Sequence, residues 1–460
     1  MIADLKPYPA LKGSDDLRIG EIPEHWEIEP LCAIAKLKSV KNQYDRELLS
    51  VYLNLGVVPF ASVKEKRTNV TSEDLSSYQA VDPGDFVLNN QQAWRGSVGV
   101  SMHKGIVSPA YLVLSLGPRI SPRYANLLLR ERSMVAQYLI ASKGVGSIQR
   151  NLYWPHLKRI PIILPPFPEQ AAIVRFLDHA DRKIRRYIRA KQKLIKLLEE
   201  QKQAIIHRAV TRGLDPNVRL KASGVEWLGD VPEHWEVTRV KNEFFCLNRR
   251  RIPLSATERG AMTLRRYDYY GASGAIDKVA EYLFDDDLLL IAEDGANLVL
   301  RNLPLAIIAR GKFWVNNHAH ILKPKRGSLE YLAGVMECIN YQPWISGAAQ
   351  PKLTLDRLMS VTIAVAPPEE QEQIVKVQNE ETGPLRAAIK QANREITLLR
   401  EYRTRMIADL VTGKLDVREA ASQLPDEVQG LPLIDELDEV NDPENDAVDD
   451  LDEAPEDSEP

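Results

Sequence analysis

Two long stretches with apolar residues at helical spacing constrain the fold of this chain more than any other feature. In the first, the intervals after Pro168 are mostly three and four, which is the seam of a coiled coil, and they run through Ile173, Leu177, Ala180, Ile184, Tyr187, Leu194, Leu198 and Ile205. Proline suits a first helical position and Gly213 suits an end, so the spacing predicts one helix from Pro168 to Gly213. A helix of ~40 residues is roughly 60 Å long and needs a partner along its seam.

The partner is a second copy of the same pattern. Residues 367–418 also begin with two prolines, and Glu169-Gln170 returns as Glu370-Gln371 at an offset of 201. The apolar positions coincide at that offset as well, because Ile184, Ile188, Leu198 and Ile205 fall on Leu385, Ile389, Leu399 and Met406. The chain therefore contains an internal duplication.

A shorter repeat precedes each middle part of the chain. The phrase Gly-Glu-Ile-Pro-Glu-His-Trp-Glu at 20–27 returns as Gly-Asp-Val-Pro-Glu-His-Trp-Glu at 229–236, an offset of 209. Each half of the chain thus has an N-terminal phrase, a middle of roughly 140 residues and a long helix. Since the two offsets differ by 8, the second middle is about 8 residues shorter than the first.

The two middles predict mixed modules of strands and helices with a common framework. In the first, about 28–164, we expect strands at Leu48–Leu55, Asp85–Leu88 and Tyr111–Leu116, a helix at Pro122–Ser142 and a loop at Lys143–Ser147. In the second, about 237–366, we expect strands at Leu288–Ala292 and Leu305–Ala309, a helix at Leu329–Ile345 and a loop at Ser346–Ala349. Shared positions include Gly146, Gln149, Leu152 and Leu157, which match Gly347, Gln350, Leu353 and Leu358. Two modules that share a framework but not a surface suggest one task performed on two targets.

Charge divides the chain into a basic body and an acidic tail. From Glu419 to the end there are 17 Asp or Glu and no Lys or Arg, which leaves 47 acidic against 60 basic residues in 1–418, a net of +13. The tail should be disordered, and a basic body fits a nucleic-acid binder, although many cytosolic proteins have one. Scattered cysteines (Cys32, Cys246 and Cys338) and apolar runs too short for a bilayer favour the cytoplasm.

The ordered set of repeats resembles the specificity subunit of a type I restriction–modification system. The resemblance covers about residues 11–418 and rests on the duplicated Pro-Glu-His-Trp-Glu phrase, the duplicated Pro-Pro-x-x-Glu-Gln-like helix starts and the two divergent middles. Gly105–Tyr111 and Gly347–Leu353 also look like phrases of that family. The resemblance implies a non-catalytic DNA-binding subunit in which two target-recognition domains each read half of a gapped, asymmetric DNA sequence. The two long helices would pair antiparallel and hold these domains apart.

The same resemblance implies partners and cofactors. Two methyltransferase subunits that modify adenine N6 with S-adenosylmethionine would dock on the long helices. Restriction subunits that hydrolyse ATP, with magnesium, would translocate and cut double-stranded DNA. No cofactor and no membrane are expected for this chain itself, and the sequence has neither an adenine-methyltransferase motif nor a G-x-x-x-x-G-K-S/T phosphate loop.

We therefore predict an α+β fold with pseudo-two-fold symmetry, in which two homologous target-recognition domains are joined by two antiparallel coiled-coil helices. The predicted parts are a first recognition domain (1–164), a first long helix (165–213), a second recognition domain (214–366), a second long helix (367–418) and an acidic disordered tail (419–460). The alternative is a structural coiled-coil scaffold whose modules bind proteins. A scaffold would not need loops rich in Asn, Gln and Arg.

Candidate base-reading residues lie in the predicted loops of both middles. Base recognition favours planar groups that form paired hydrogen bonds, Arg or Lys for guanine and Asn or Gln for adenine. The candidates in the first middle are Asn89, Asn90, Gln91, Gln92, Arg95, Lys143, Gln149 and Arg150. Those in the second are Tyr269, Tyr270 and Ser273 on a Gly-flanked turn, followed by Asn297, Asn316, Asn317, His318, Gln350 and Lys352. Any one of them is more often an ordinary loop residue, and Gln149 and Gln350, which recur in both modules, are better explained as framework or phosphate contacts than as base readers.

Other conspicuous residues have plainer explanations. Residues 169–212 carry 12 basic and 5 acidic side chains, which is typical of a solvated coiled-coil face. The functional alternative is that the cluster Arg182–Lys196 contacts DNA phosphates across the gap or acidic surfaces of partner proteins. Trp26 and Trp235 are expected to be packing anchors, and their neighbouring histidines structural. His318 and His320 would share one side of a strand, but without further ligands they predict no zinc site.

Overall fold

The computed structural model describes residues 5–14, 19–53, 55–63, 74–145, 149–347 and 350–425. The chain forms two compact units, one made of Met1–Ile188 with Thr397–Pro460 and the other made of Arg189–Ile396. Most of the predicted acidic tail, from residue 426 onward, lies outside the described residues. The predicted domain boundaries are finer than this division and stay predictions.

The first unit is built on an antiparallel four-stranded sheet that is buried on both faces. The strands of this unit are β1 (Leu11–Gly13), β2 (Glu21–Pro23), β3 (Glu27–Pro30), β4 (Ala35–Lys38), β5 (Leu49–Tyr52), β6 (Gly56–Pro59), β7 (Gln79–Val81), β8 (Asp85–Asn89), β9 (Val98–Val100), β10 (Gly105–Val107), β11 (Tyr111–Leu116), β12 (Ser142–Val145), β13 (Gln149–Leu152) and β14 (Pro161–Leu164). The central sheet has the order β4-β11-β8-β9. Because side chains alternate across a strand, Phe86 and Leu88 enter one apolar core and Val87 enters another.

The helices of the first unit flank this sheet. They are α1 (Leu31–Ile34), α2 (Pro122–Leu129), α3 (Arg132–Ala141), α4 (Trp154–Leu157) and the first part of α5 (Phe167–Arg212), with 3-10 turns at Phe60–Ser62 and Ala93–Arg95. The single helix predicted at Pro122–Ser142 is wrong, because Glu131 ends the run in extended conformation and caps α3 by accepting from the backbone N–H of Ser133 (2.6 Å). The loop predicted at Lys143–Ser147 is wrong for its described residues, since β12 pairs with β13 as a hairpin.

The second unit repeats the same central sheet. Its strands are β15 (Leu220–Ala222), β16 (Asp230–Pro232), β17 (Glu236–Arg239), β18 (Phe244–Cys246), β19 (Tyr267–Gly271), β20 (Gly274–Val279), β21 (Phe284–Asp285), β22 (Leu288–Ala292), β23 (Ala306–Ala309), β24 (Lys312–Val315), β25 (Ala319–Pro324) and β26 (Thr362–Val365). The sheet β18-β25-β22-β23 corresponds strand for strand to β4-β11-β8-β9. It too is buried on both faces, because Leu289 and Ile291 enter one core while Leu288 and Leu290 enter another.

A second sheet, β20-β19-β24-β21, marks where the second unit elaborates the common plan. In the first unit the hairpin β5-β6 takes the place of β19-β20. Each hairpin has one parallel connection: Leu48, just before β5, pairs with Ile106 in β10, and β19 pairs with β24. The helices here are α6 (Val240–Glu243), α7 (Ala256–Gly260), α8 (Asn297–Leu300), α9 (Leu329–Cys338), α10 (Leu355–Ser360) and the first part of α11 (Pro368–Val411), and 3-10 turns cover Asn248–Arg250 and Gln342–Trp344. The prediction that a helix spans Leu329–Ile345 is wrong beyond Cys338, because Pro343 belongs to the separate 3-10 turn.

The two long helices are confirmed, although the second ends at Val411 and not at residue 418. Helix α5 has 46 residues and α11 has 44, and glycines with positive φ, Gly213 (72°) and Gly413 (77°), follow their C-terminal ends. In the second unit, Lys191 pairs with Glu395 (2.6 Å) and Arg208 with Glu381 (3.6 Å), so rising numbers on α5 meet falling numbers on α11. The predicted α+β fold, with two homologous modules and an antiparallel pair of long helices, is therefore confirmed.

The last described element is α12 (Arg418–Ser422), which packs on the first unit through Ala421. Cys32, Cys246 and Cys338 are free thiols. Within the described ranges, no helix combines the length and the apolar character needed to cross a membrane.

Candidate nucleic-acid interface

Each module is fixed to the long helices at a junction centred on a tryptophan. In the first, Trp26 is completely buried and its Nε1 donates to Glu169 Oε1 (3.1 Å), near the start of α5. His25 Nε2 lies 2.7 Å from Glu169 Oε2, and the hydroxyl of Tyr8 donates to the same carboxylate. A side chain at Gly413, just after α11, would collide with Trp26 and Pro23, so the end of the second helix closes the same junction.

The second junction repeats the first. Trp235 is 1% exposed and donates from Nε1 to Glu370 Oε2 (3.1 Å), while His234 Nε2 lies 2.7 Å from that oxygen. Gly213, after the end of α5, lies against the Trp235 ring, where an added Cβ would be 3.4 Å from it. The prediction that both tryptophans are packing anchors is confirmed. The neighbouring histidines contact the same glutamates of the long helices. The repeated Glu-Gln pair was visible in the sequence, but the sequence did not predict that its glutamates contact these histidines.

The glutamine that follows each of these glutamates ties the helix start to the module. Gln170 Oε1 accepts from Ser121 N (2.8 Å), and its Nε2 donates to Pro165 O (3.0 Å). Gln371 makes the same pair of contacts, with Ser328 N (2.8 Å) and with the carbonyl of residue 366 (2.7 Å). Ser121 and Ser328 are the N-caps of α2 and α9. The duplicated Glu-Gln pair therefore joins the start of each long helix to its module.

Three segments meet where a central strand of the sheet ends, at β8 in the first module and at β22 in the second. The backbone N–H of Asn90 donates to Ala110 O (3.1 Å), and Asn90 O accepts from Leu152 N (3.1 Å). In the second module Glu293 takes the place of Asn90, donating to His318 O (2.9 Å) and accepting from Leu353 N (2.8 Å). We name residues 89–97, 108–110 and 149–152 the first loop edge, and residues 293–303, 316–318 and 350–353 the second loop edge. They hold most of the predicted base-reading residues.

Polar side chains dominate the first loop edge. Asn89 Oδ1 accepts from Gln91 N (3.0 Å) and so shapes the turn, while Gln91 and Gln92 are exposed. The Arg95 guanidinium stacks over the Trp94 ring, 4.9 Å from its centre. Among the described residues, Asn90 Oδ1 is one of three buried side-chain polar atoms without a hydrogen-bond partner. This edge therefore presents amide and guanidinium groups.

The β12-β13 hairpin contributes its second strand to the first loop edge. Lys143 is exposed and its Nζ lies 5.3 Å from the centre of the Tyr153 ring. Arg150 Nε donates to Ser142 Oγ (3.1 Å) across the hairpin. Gln149 pairs with Val145 in the backbone ladder, and its side chain lies outside the described part of the chain. The hairpin thus places two predicted cations beside the polar loop.

The predicted turn at Tyr269, Tyr270 and Ser273 is correct only for Ser273, which is exposed between β19 and β20. Tyr269 lies within β19, is 1% exposed and accepts at its hydroxyl from Leu254 N (3.0 Å), so it belongs to the core. Tyr270 is half-buried in the same strand, and burial raises the pKa of its hydroxyl. The predicted turn is wrong for these two tyrosines, because they lie in a strand that pairs with β24, which is far along the chain.

The second loop edge gathers several of the predicted residues around two carboxylates. His318 Nδ1 lies 2.8 Å from Asp294 Oδ2, and Lys352 Nζ lies 3.3 Å from Glu293 Oε1. Arg251, which the sequence did not single out, donates to Glu293 Oε2 (2.6 Å). Burial alone would raise the pKa of Glu293, but the hydrogen bond from Arg251 and the nearby positive charges lower it below its ordinary value.

The remaining predicted residues of this edge divide by burial. Asn317, Gln350 and Lys352 are exposed. Asn316 is 6% exposed and its Oδ1 accepts from His318 N (2.8 Å), so it holds the turn. Asn297 binds the backbone of Leu303 with both ends of its amide, at 2.9 and 3.0 Å. Asn316 and Asn297 therefore support the edge, and the exposed side chains form its surface.

The buried His320 is structural. Its Nε2 lies 2.7 Å from Leu353 O, and its Nδ1 lies 2.8 Å from Asn248 Nδ2, whose amide oxygen accepts from Ile321 N (2.9 Å). This pattern makes Nε2 the donor and Nδ1 the acceptor of a neutral ring, and burial lowers the pKa of the imidazole. Among the described residues, no group of three His, Cys, Asp or Glu is arranged to hold a metal ion.

The basic stretch of α5 is largely exposed. Within the predicted cluster, Lys183, Arg186, Lys193 and Lys196 are exposed, whereas Arg185 pairs with Asp181 (2.7 Å) and Lys191 with Glu395. Such a surface can attract phosphates without distinguishing bases.

Comparisons with known proteins agree with this duplicated architecture. Residues 23–197 and 232–397 match a family model described as the type I restriction modification DNA specificity domain. The putative type I restriction enzyme MjaX specificity subunit of Methanocaldococcus jannaschii is 24% identical over 441 residues, covering 87% of this chain and 96% of that protein. The putative type I restriction enzyme specificity subunit S.HindORF215P of Haemophilus influenzae is 35% identical over 111 residues, 24% of this chain and 28% of that protein. A solved chain, from work on complex assembly and conformational transition of the type I R-M system, shares the fold with a TM-score of 0.57 at 15% identity, covering 86% of this chain and 99% of that chain.

Proposed function

The chain belongs to the type I restriction–modification DNA specificity family, and we propose that its two modules each read one half of a gapped, two-part DNA site. Its role is that of a specificity subunit, which recognises DNA for the complex. A homodimer presents two equal halves and reads a palindrome, whereas two unequal modules on one chain can read an asymmetric site.

The observation that supports this division most directly is the pair of loop edges. Their backbone hydrogen bonds are equivalent, with Asn90 and Glu293 at the same structural position. The side chains differ, with exposed amides at Gln91 and Gln92 in one and a His318–Asp294 pair in the other. Amides suit adenine, guanidinium and ammonium groups suit guanine, and carboxylates accept from cytosine. Equal frameworks with unlike surfaces fit two different half-sites.

In this proposal the long helices set the gap between the half-sites. Helices of 46 and 44 residues are about 69 and 66 Å long at 1.5 Å per residue. Inserting one heptad into both helices should lengthen the gap by about 10 Å, or about 3 base pairs. The measurement is the spacer of the recognised motif, and an unchanged spacer contradicts the proposal. A variant with a heptad in α5 alone serves as the control, because the two helices then lose their register.

The chain would act without catalysis of its own. We propose that the helices dock two methyltransferase subunits, which use S-adenosylmethionine to modify adenine N6, and that restriction subunits using ATP and magnesium join them. In the cytoplasm this assembly would meet double-stranded DNA. The exposed cations of α5 would contribute phosphate contacts that position the complex without choosing bases.

Selection from a randomised duplex pool tests the division of recognition. The complex of this chain with its methyltransferase subunits should enrich one two-part motif. A variant with Gln91, Gln92 and Arg95 all changed to Ala should lose sequence preference in one half and keep it in the other. Loss in both halves, or an unchanged motif, contradicts the assignment of the first loop edge. A stable complex that enriches no motif would favour the protein-binding scaffold.

A further inference from the structure

The second loop edge continues into a short segment that exposes apolar side chains. Val299, Leu300 and Leu303 are 43%, 62% and 49% exposed, although the same loop begins with the polar pair Glu293 and Asp294. Single exposed leucines need no explanation on a protein surface. Three within five residues of one loop, in a candidate interface, are more than scattered single exposures.

This segment is held rigidly. Both ends of the Asn297 amide bind the backbone of Leu303, which closes the loop across its base. Arg301 adopts a left-handed conformation, with φ of 50°, that is unusual for a residue with a side chain. Its guanidinium donates to Ile339 O (2.8 Å) and to Glu337 Oε1 (3.2 Å).

The base of the segment is anchored in the core. Leu298 is 2% exposed and Leu305 is completely buried. The second oxygen of Glu337 accepts from the backbone N–H groups of Leu305 and Ala306, both at 2.8 Å. The exposed leucines are therefore not the result of a loosely packed loop, because their neighbours fix the backbone that presents them.

The segment is also joined to the rest of the second loop edge. Gly295 N donates to Pro351 O (3.1 Å), and Asp294 pairs with His318, which links the segment to two other parts of the edge. In the first module the corresponding stretch, after Asn90, carries Gln91, Gln92 and Arg95. The loop that connects β8 to β9 thus bears amides and a guanidinium, whereas the loop that connects β22 to β23 bears aliphatic side chains.

Resting on the proposed function, we propose that Leu300, with Val299 and Leu303 beside it, selects thymine in the half-site of the second module by contacting its C5-methyl group. In the major groove thymine offers that methyl group, and aliphatic side chains recognise it by contact. The neighbouring His318, Asn317 and Lys352 offer hydrogen bonds for the adjacent base edges. The major groove presents both methyl groups and hydrogen-bonding base edges. The second loop edge, which exposes both aliphatic and polar side chains, therefore suits the major groove.

The decisive experiment removes the methyl group from DNA and its contact from the protein. Once the motif is known, each thymine of the second half-site is replaced in turn by deoxyuridine, which differs only in lacking the methyl group. The wild-type complex should bind about fourfold more weakly at one such position, as expected for one buried methyl group. Leu300→Ala should bind the thymine duplex more weakly to a similar extent and no longer distinguish deoxyuridine from thymine there.

Two further variants keep the result interpretable. Asn297→Ala, which loosens the loop while keeping Leu300, should reduce the discrimination without abolishing binding. Leu37→Ala, a change at a leucine that is 48% exposed on β4 of the first module, should leave the deoxyuridine pattern as in wild type.

Each contrary result has a distinct meaning. A wild-type complex that binds no specific site overturns the proposed function. Specific binding with equal affinity for thymine and deoxyuridine at every position, or a second half-site without thymine, overturns only the role of Leu300. Loss of methyltransferase binding in Leu300→Ala, with discrimination intact, would make the segment a protein-docking surface and also overturn it.

Discussion

The junctions and the loop edges of the two modules differ in how far they have diverged. At the junctions the same residue types make the same contacts, Trp26 and Trp235 donating to Glu169 and Glu370 at 3.1 Å in each case. At the loop edges only the backbone hydrogen bonds are equivalent. A module can therefore change the chemistry of its surface while the contacts that position it stay the same, as the proposed reading of two different half-sites requires.

The two junctions are alike but not equally enclosed. Glu169 is 5% exposed and accepts from Tyr8 as well as from Trp26, whereas the Glu370 side chain is 24% exposed. The first junction also includes residues that follow α11, because Asp416 N donates to Lys6 O (2.8 Å) and Arg418 lies over the Tyr8 ring. The first carboxylate should therefore contribute more to stability than the second.

Removing a junction tryptophan should have the largest effect. Trp26→Ala or Trp235→Ala should lower the free energy of unfolding of the affected unit by about 3 to 5 kcal/mol, because a large, buried side chain leaves a cavity. Urea unfolding followed by circular dichroism measures the change. Tyr187→Ala, at an aromatic residue that is 59% exposed on α5, is the control and should cost far less. A loss below about 1 kcal/mol in both tryptophan variants would contradict the anchoring role.

Removing the junction carboxylates should have an intermediate effect that ranks the two junctions. Glu169→Ala should cost about 2 to 3 kcal/mol and Glu370→Ala about 1 kcal/mol, because the first leaves more buried donors without an acceptor. The same unfolding measurement applies. Glu169→Gln keeps one acceptor oxygen and should therefore lower the free energy of unfolding by less than Glu169→Ala. If Glu169→Ala and Glu370→Ala lower it equally, the difference in burial between the two junctions does not affect stability.

Acid should weaken the second unit through His320. The pKa of this buried imidazole is lowered from its ordinary value of 6.5, so the unfolded chain takes up a proton before the folded chain does. Stability is therefore present above pH 6.5 and lost as the pH falls below it, by at most about 1.4 kcal/mol per pH unit. Titration of the His320 ring by NMR checks the sign, and a midpoint at or above 6.5 would contradict it.

The smallest effect on folding is expected at the exposed cations of α5. The double variant Lys193→Ala and Lys196→Ala should change the free energy of unfolding by less than about 0.5 kcal/mol. If these residues contact phosphates, the slope of log affinity for DNA against log salt should become shallower by about 1 to 2. Lys390→Ala is the matched control and should leave the slope unchanged, because this exposed lysine lies on α11, in a stretch (369–418) with 9 basic and 9 acidic residues. An unchanged slope in the double variant would contradict phosphate contacts by Lys193 and Lys196 and would favour the interpretation that this part of α5 is only a solvated surface.

The features that the sequence predicted well are those with a local signal. The spacing of Ile173, Leu177 and Ile184 predicted α5 because a helical seam repeats along many residues. The strands Tyr111–Leu116 and Leu288–Ala292 were predicted with their observed bounds, since each is a short apolar run between turns. The repeats at matching distances supplied the rest of the architecture, because two copies of a pattern exclude most accidental matches.

The features that the sequence did not predict depend on contacts far along the chain. Tyr269 was placed on a turn because it lies near Gly271 and Gly274, but its pairing with Trp314 puts it inside a sheet. Asn297 was chosen as a base reader although its amide is used by Leu303. Asn90 and Glu293 occupy equivalent positions because their backbone groups make equivalent hydrogen bonds. Their side chains are unlike, so the sequence could not predict this equivalence. Which of the exposed residues contact bases stays a prediction.

Methylation mapping tests the central claim most directly. This chain is co-expressed with its methyltransferase subunit in cells without other adenine methylation, and the genome is mapped for N6-methyladenine. The account predicts methylation at a single two-part motif with a fixed gap, and replacement of residues 28–164 by a module from a relative should change one half of that motif and leave the other. Methylation without a motif, or a stable complex that methylates nothing, would contradict the claim that the two modules of this chain read the DNA.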